Sequence, residues 1–499
     1  MRTVKRLINC TIPVTTCNMH CKYCYIGQRG DKFTEKIAKI PVSIQTVAKA
    51  LSAKRLCGHC FINLCGDGET LLPPYIVGLT ELLLLEGHYI MIPTNGLISK
   101  RIDEFTALPK NLLKHLIFKI SFHYLELKRL NKLDEFFANA YKLRAAGASI
   151  TIVIMAADEY VEHIPEIKKI SLDRMGAYPH VAEIHTDIPN FLRFTKRPLE
   201  EHFKAWDSFN STLFAMQKDT WGVKRHEFCY GGDWVFNISL ISGDASQCFS
   251  GKHLIDNIYN DIYEPLHFVS YGAHCPFPHC FCGHCFLQLG VIPGLKTPSW
   301  YDTYNRICLD GSQWIQTSIQ TFMTKFTETN IEYSHNKKYF INALVAAEYD
   351  DKRILYSKVK IGKIIENALQ TKNIKRIAIY GTENIKYDWR DSWFGIGKLS
   401  FWIIQMLKET SIDVIFIIDD KNLNKQPLYN ILIKINGFFK YYIKKILRRN
   451  NEPILLNIFD RWPHVDAVII ASYGDYTSIA KIICSRRMLK ILPLTELLD

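Results

Sequence analysis

From about residue 8 to 195, short apolar runs alternate with longer amphipathic stretches. RLINCTIPV (6–14), HCFINLCGDGE (59–69), YIMIPTNG (89–96), LIFKISFH (116–123), ITIVIMAAD (150–158) and VAEIHTDI (181–188) have the length and residue types of strands. Between them, PPYIVGLTELLLLEG and LDEFFANAYKLRAAG have helical spacing, and the second ends at Gly147, a residue suited to a helix C-cap. Strand and helix alternating five or six times predict an α/β fold: a parallel sheet with right-handed crossovers. In such a sheet ligands sit at the carboxyl ends of the strands.

The pattern then changes twice. Residues 200 to 219 predict a helical connector, and the Gly-, Pro- and His-rich segment after it has little periodicity and needs a staple such as a metal. SWYDTYNRICLDGSQWIQTSIQTFMTKFTETN (299–330) predicts helices returning to the core. Beyond residue 365, IKRIAIYGTEN (374–384), DVIFIIDD (413–420) and DAVIIASYGD (466–475) predict strands, with helices at GKLSFWIIQMLKE and YTSIAKIICSRRM. Gly381 stands alone after the first of these strands, and Gly395 and Gly397 come much later. A nucleotide-sized ligand there is therefore an expectation from fold alone.

A chain of 499 residues exceeds one ordinary core. The N-terminus carries no signal-type apolar run, and no window approaches ~18 uncharged apolar residues, so the expectation is a cytoplasmic protein with no transmembrane segment. The net charge of +13 suits a polyanion, a phosphorylated ligand or an acidic membrane surface. Part of it lies in KYYIKKILRRN (440–450), which reads more simply as a solvated basic helix face; no nucleic-acid signature accompanies it.

Cysteine changes the picture most. Fifteen cysteines in an unexported chain argue against disulfides, and seven precede residue 66 while six fall between 229 and 285. Core thiols would be spread more evenly, so metal binding is the better reading. Cys17, Cys21 and Cys24 lie in a loop directly after the first strand, with Tyr23 and Tyr25 beside the last. Thiolates are the usual ligands of iron–sulfur clusters, and three on a cubane leave one iron open to a substrate or cofactor.

This C-x3-C-x2-C loop with its aromatic Tyr23 resembles the radical S-adenosylmethionine (SAM) superfamily. The resemblance implies a partial (β/α)6 TIM-like barrel and a [4Fe–4S] cluster on Cys17, Cys21 and Cys24. It also implies SAM chelated at the open iron and a 5'-deoxyadenosyl radical that abstracts hydrogen from a substrate. CGDGETLL (65–72) resembles the family's G-G-E-P stretch, with Gly68 and Glu69 in register, Asp67 preceded by Gly66 in place of the first glycine, and Thr70 in place of proline. An ordinary strand-to-helix turn is the plain alternative. PTNG and ISFHYLE continue the match, so Tyr23, Gly66, Gly68, Glu69, Asn95 and Ser121 are the expected SAM-binding positions. His123, His185 and Asp187 stand at similar strand ends, and buried, satisfied side chains are as good a reading of them.

Cys229 and Cys248 form C-x13-G-x4-C with a turn at Gly243, which looks like the opening of a SPASM or twitch extension carrying an auxiliary [4Fe–4S] cluster. The compressed run Cys280, Cys282, Cys285 does not meet the full SPASM pattern. The expected ligands are Cys229, Cys248, Cys275 and Cys280, with Cys282 or Cys285 as substitutes and a structural zinc as the alternative occupant. CGHC (57–60) resembles a thioredoxin-type dithiol but runs straight into a strand, and Cys10, Cys65, Cys308 and Cys484 read as buried thiols.

Together these features imply a core at 1–200, a connector and auxiliary-cluster module with returning helices at 201–330, a linker helix at 331–365 and a Rossmann-like α/β domain at 366–499. The implied partners are a flavodoxin- or ferredoxin-type electron donor and a carbohydrate substrate, either a sugar nucleotide or glycan-linked. Peptide modification is the runner-up, and a non-catalytic iron–sulfur or zinc scaffold is the reading from another class.

Overall fold

A computed structural model describes residues 3–28, 37–186, 192–248, 254–260, 262–273, 275, 277, 279–280, 287–349, 358–380, 403, 406–407, 410–418, 454–456, 464–470 and 490–493. They fall into two compact units. One comprises Met1–Lys252, Asn257–Phe268 and Phe277–Glu332; the other comprises His253–Asp256, Val269–Pro276 and Tyr333–Asp499.

In the first unit, β1 (Val4–Ile12), β2 (His59–Gly66), β3 (Tyr89–Thr94), β4 (Leu116–Ser121), β5 (Ser149–Met155) and β6 (His180–Ala182) lie side by side in sequence order, all parallel. Helices α1 (Ile44–Ala50), α2 (Ile76–Leu85), α3 (Ser99–Thr106), α4 (Lys110–Leu113), α5 (Tyr124–Arg129), α6 (Leu133–Ala146) and α7 (Ile164–Met175) fill the crossovers. This is the parallel strand–helix order that the alternating pattern predicts, and it agrees with the partial barrel that the resemblance implies. Gly147 does cap α6, at φ +105° with its N–H on the Arg144 carbonyl.

The two faces of the sheet are chemically distinct. On the helical side, Phe118 packs on Phe105 of α3, and Gly96 sits against Ile120 and Phe136 of α6. On the inner side, Phe61 meets Trp300 and Phe322, whose centroids lie 5.2 and 4.4 Å from its own, and Tyr89 also meets Phe322. These aromatic side chains, each worth about 1.5–3 kcal/mol on burial, close the barrel at the end away from the cysteine loop.

On the other flank of β1, β7 (Val235–Ser239) pairs in parallel and β8 (Asp244–Ser246) returns antiparallel to it. The connector at 200–219 is two helices, α8 (Leu199–Asp207) and α9 (Thr212–Thr220). Asn210 breaks them at φ +49°, and the Ser211 hydroxyl accepts the Phe214 N–H to start the second. A short β9 (Leu254–Asn257) follows. The segment 299–330 is mostly irregular: α10 (Trp300–Tyr304), a bridge between Ile307 and Gln313 turning at Gly311 (φ +78°), a 3-10 turn over Thr317–Met323, and α11 (Phe326–Thr329). Its apolar residues serve as isolated wedges into the barrel rather than as the stripe of a long helix.

The second unit begins with α12 (His335–Tyr349) and α13 (Lys358–Thr371). Its sheet comprises β10 (Arg376–Tyr380), β11 (Asp413–Ile418), β12 (Ile454–Leu456), β13 (Ala467–Ile470) and β14 (Lys490–Pro493), all parallel, in the order β12-β11-β10-β13-β14. That is the order of a doubly wound sheet. Gly381, Gly395, Gly397, Cys484, the basic stretch 440–450 and the stretch 476–488, expected to be a helix, lie outside the described residues. Among the described residues no helix is long and apolar enough to cross a membrane.

Candidate active site

The chain leaves β1 at Ile12 and folds over the ends of β2 and β3. Two close approaches fix that path. A Cβ on Gly68 would fall 2.1 Å from the Thr16 carbonyl oxygen, and one on Gly66 would fall 2.1 Å from a Val14 methyl carbon. The Glu69 N–H then donates to the Thr16 carbonyl at 2.9 Å. Both glycines thus seat the cysteine loop on the end of β2, and neither position has room for a side chain.

The loop is tied from its other side by α5. The His20 N–H donates to Glu126 Oε1 at 2.9 Å, and Arg129 grips the same carboxylate at 2.7 and 2.9 Å. The Arg129 hydrogen bonds are the main reason that the Glu126 carboxyl is pulled down to about 2.

Glu69 is buried without a basic partner among its hydrogen bonds. Its Oε1 accepts from the Leu71 N–H (2.9 Å) and the Thr94 hydroxyl (2.6 Å), and its Oε2 accepts from the Asn95 N–H (2.8 Å). It therefore straps the turn after β2 to the end of β3. Burial pushes its carboxyl above the usual range, while the three donors favour the anion. The strap aims Asn95, whose amide nitrogen donates to Asn18 Oδ1 at 2.6 Å and lies 3.8 Å from Cys17 Sγ.

Tyr23 is held by its hydroxyl, 2.7 Å from His123 Nδ1 and 3.0 Å from the Tyr160 hydroxyl. Desolvation pushes His123 down to about 4, so the ring is neutral at physiological pH. His123 is thus a partner of the loop aromatic. The His185 ring lies 4.6 Å from that of Tyr25, tilted by 35°, Ser121 stands half-buried at the end of β4, and Asp187 lies outside the described residues.

Burial pushes the Cys17 thiol up to about 11 and the Cys21 thiol further, with repulsion between loop cysteines adding to both. Thiols so placed become thiolates only beside compensating positive charge, which an iron cluster supplies. Among the described residues, no three Cys, His, Asp or Glu side chains converge on a single ion. A cubane takes each thiolate on a different iron and does not require that convergence. The donor set fits the cluster.

The second segment is built on the β7–β8 hairpin, whose turn at Gly243 (φ +78°) packs where a Cβ would lie 2.4 Å from the Tyr259 ring. Cys229 precedes the hairpin and Cys248 follows it. The Gly231 N–H donates to Cys229 Sγ at 3.3 Å, and a Cβ there would lie 3.6 Å from the Cys248 Cβ, so the two cysteines flank one glycine. Cys280 belongs to the same unit and Cys275 to the other; Cys282 and Cys285 lie outside the described residues.

Elsewhere, Cys57 is exposed in the left-handed region (φ +54°), and Cys60 is buried with its thiol pushed up to about 12 by that burial. An activated dithiol needs the opposite shift. Cys10 and Cys308 are buried as expected, but Cys65 is half-buried on the inner face of β2. The sequence reading missed Glu126, Tyr160 and Asn18. Each acts across a long sequence separation that no local spacing reports.

The Radical SAM superfamily model matches residues 11–169. Similar solved structures include Streptococcus suis SuiB, at 14% identity over 49% of this chain and 60% of that chain with a TM-score of 0.35. They also include anSMEcpe with bound AdoMet (14% identity, 51% of this chain and 79% of that one, TM-score 0.35) and HydG, a maturase of the [FeFe]-hydrogenase (14%, 41% and 49%, TM-score 0.27). Likenesses this low carry nothing about substrate. No curated protein matches the sequence. The family match spans the thiol loop, its glycine seat and the Glu69 strap, so residues 11–169 are similar to the radical SAM superfamily over the part of the chain that carries these features.

Proposed function

We propose that this protein is a radical SAM enzyme in which Cys17, Cys21 and Cys24 hold a [4Fe–4S] cluster with one iron open to SAM. The observation that carries the reading is the loop itself: three thiols on a turn seated against Gly68 and approached by Asn95 at 3.8 Å from Cys17. Bound there, the cluster would pass one electron to the sulfonium and release a 5'-deoxyadenosyl radical. Gly66 and Gly68 seat the loop, Glu69 and Asn95 fix the strand ends beside it, and Tyr23 and Ser121 face the cofactor. Cys229, Cys248 and Cys280, with a fourth thiol of the cysteine-rich segment, hold an auxiliary [4Fe–4S] cluster, and the electron donor is of flavodoxin or ferredoxin type.

The substrate we infer is a carbohydrate or a carbohydrate-linked molecule. The doubly wound sheet of the second unit supports this, since its strand order is one that serves nucleotide ligands. Anaerobically reconstituted protein given SAM and reductant should yield 5'-deoxyadenosine and contain about eight irons. Failure to bind SAM would sink the enzyme in favour of a scaffold, and turnover of a peptide rather than a sugar would replace the substrate class.

A further inference from the structure

The inner face of the barrel carries a polar sector that neither cluster uses. Asn9 of β1 is in register with Asn63 of β2 on one side and Asn237 of β7 on the other, so three asparagines stand abreast on adjacent strands. Asn63 Nδ2 donates to Asn9 Oδ1 at 2.6 Å, and the Cys65 thiol lies 3.3 Å from the same oxygen. One pleat nearer the cysteine loop, Thr11 is in register with Cys65 and Ser239.

Orientation follows from the neighbours. Phe61, two residues before Asn63, packs on Trp300 inside the barrel, so Asn63 and Cys65 point inward above that aromatic floor. Thr11, Cys65, Asn237 and Ser239 are half-buried, whereas Cys10, Leu64 and Ile238, which point the other way, are buried. Asparagine and threonine are poor strand residues and costly to bury unless bonded. Yet among the described residues Asn63 Oδ1, Asn237 Oδ1 and, on β5, the hydroxyl of buried Thr151 have no hydrogen-bond partner. Each such atom is left desolvated and uncompensated if nothing meets it. Two register rows of neutral hydrogen-bonding side chains, with acceptors to spare and no carboxylate among them, suit a ligand that brings hydroxyl or amide donors.

We propose that Asn237, Asn9 and Asn63, with Thr11 and Ser239 above them, form the surface that recognises a neutral, hydroxyl-rich ring of the substrate. The inference rests on the enzyme reading above and gives its carbohydrate class a location. It assigns specificity to the wall under β7, β1 and β2, while SAM is held at the strand ends.

The test uses the reconstituted full-length holoenzyme with SAM present and N-acetylglucosamine as the probe, titrated calorimetrically. Wild type should bind it, and Asn63→Leu and Asn237→Leu should each weaken binding about tenfold, the effect of losing one useful hydrogen bond. SAM affinity and substrate-free 5'-deoxyadenosine formation should be unchanged in both variants. If Asn63→Leu fails to fold, Asn237→Leu reads the same surface, because the amide oxygen it removes carries no bond among the described residues. Equal sugar affinity in wild type and variants, or no sugar binding to wild type, overturns the proposal. So does an Asn63-dependent response to acetyl-tetraalanine amide in place of the sugar, which would make the wall a peptide surface. Absence of SAM cleavage in wild type is a different failure, that of the enzyme reading itself.

Discussion

The two cysteine-rich regions solve one problem in opposite ways. The first packs three thiols into eight residues and imports its rigidity: the glycine seat on β2, the Glu69 strap to β3, the Glu126 tie from α5 and the Tyr23 hydroxyl between His123 and Tyr160. The second spreads its cysteines along an irregular segment and relies on a hairpin with a glycine turn, Cys229 and Cys248 meeting across Gly231. A loop that must leave one iron open needs its geometry imposed from outside. A site that encloses its cluster with its own thiolates can let the metal impose the geometry.

That contrast can be broken most decisively at the thiols. Cys17→Ala, or either equivalent, should abolish 5'-deoxyadenosine formation and remove about four irons while leaving about four in place; residual product measured by chromatography would refute the assigned role. Gly68→Ala comes next. Its methyl would stand 2.1 Å from the Thr16 carbonyl, so the loop must shift and the first cluster's iron should be lost with the cysteines intact. Normal iron content in that variant would mean that the seat is dispensable.

Cys229→Ala sharpens the comparison from the other side. Iron should again fall by about four, yet SAM cleavage without substrate should survive within about tenfold. A smaller effect is expected from Glu69→Gln, which keeps the shape and weakens charge-assisted bonds from Leu71, Thr94 and Asn95. Chemical denaturation should show a loss of about 2–3 kcal/mol. Tyr23→Phe should be mildest, about 1–2 kcal/mol for a hydroxyl with two partners, with cluster content unchanged.

The first region was largely legible in the chain because its chemistry is local. Cys17, Cys21 and Cys24 are neighbours in sequence, the six strands lie in short, mainly apolar runs, and Gly68 and Glu69 adjoin β2. What was hidden is what arrives from afar. Nothing near Tyr23 announces Tyr160, 137 residues on, and nothing near His20 announces Glu126, 106 residues on. Two short strands, β12 and β14, of three and four residues, were missed as well. Residues 299–330 misled because Trp300, Phe322 and their neighbours are apolar for the sake of the barrel's interior, and their spacing follows the contour of that interior rather than a helical turn.

That aromatic floor gives the barrel's interior a dry end. Phe61, Trp300 and Phe322 lie 4.4 to 5.5 Å apart, ring centroid to ring centroid, below the asparagine row. A molecule resting against the asparagines would meet hydrogen-bonding groups along one edge and only hydrocarbon at its foot. Its two ends would have to differ in polarity to match.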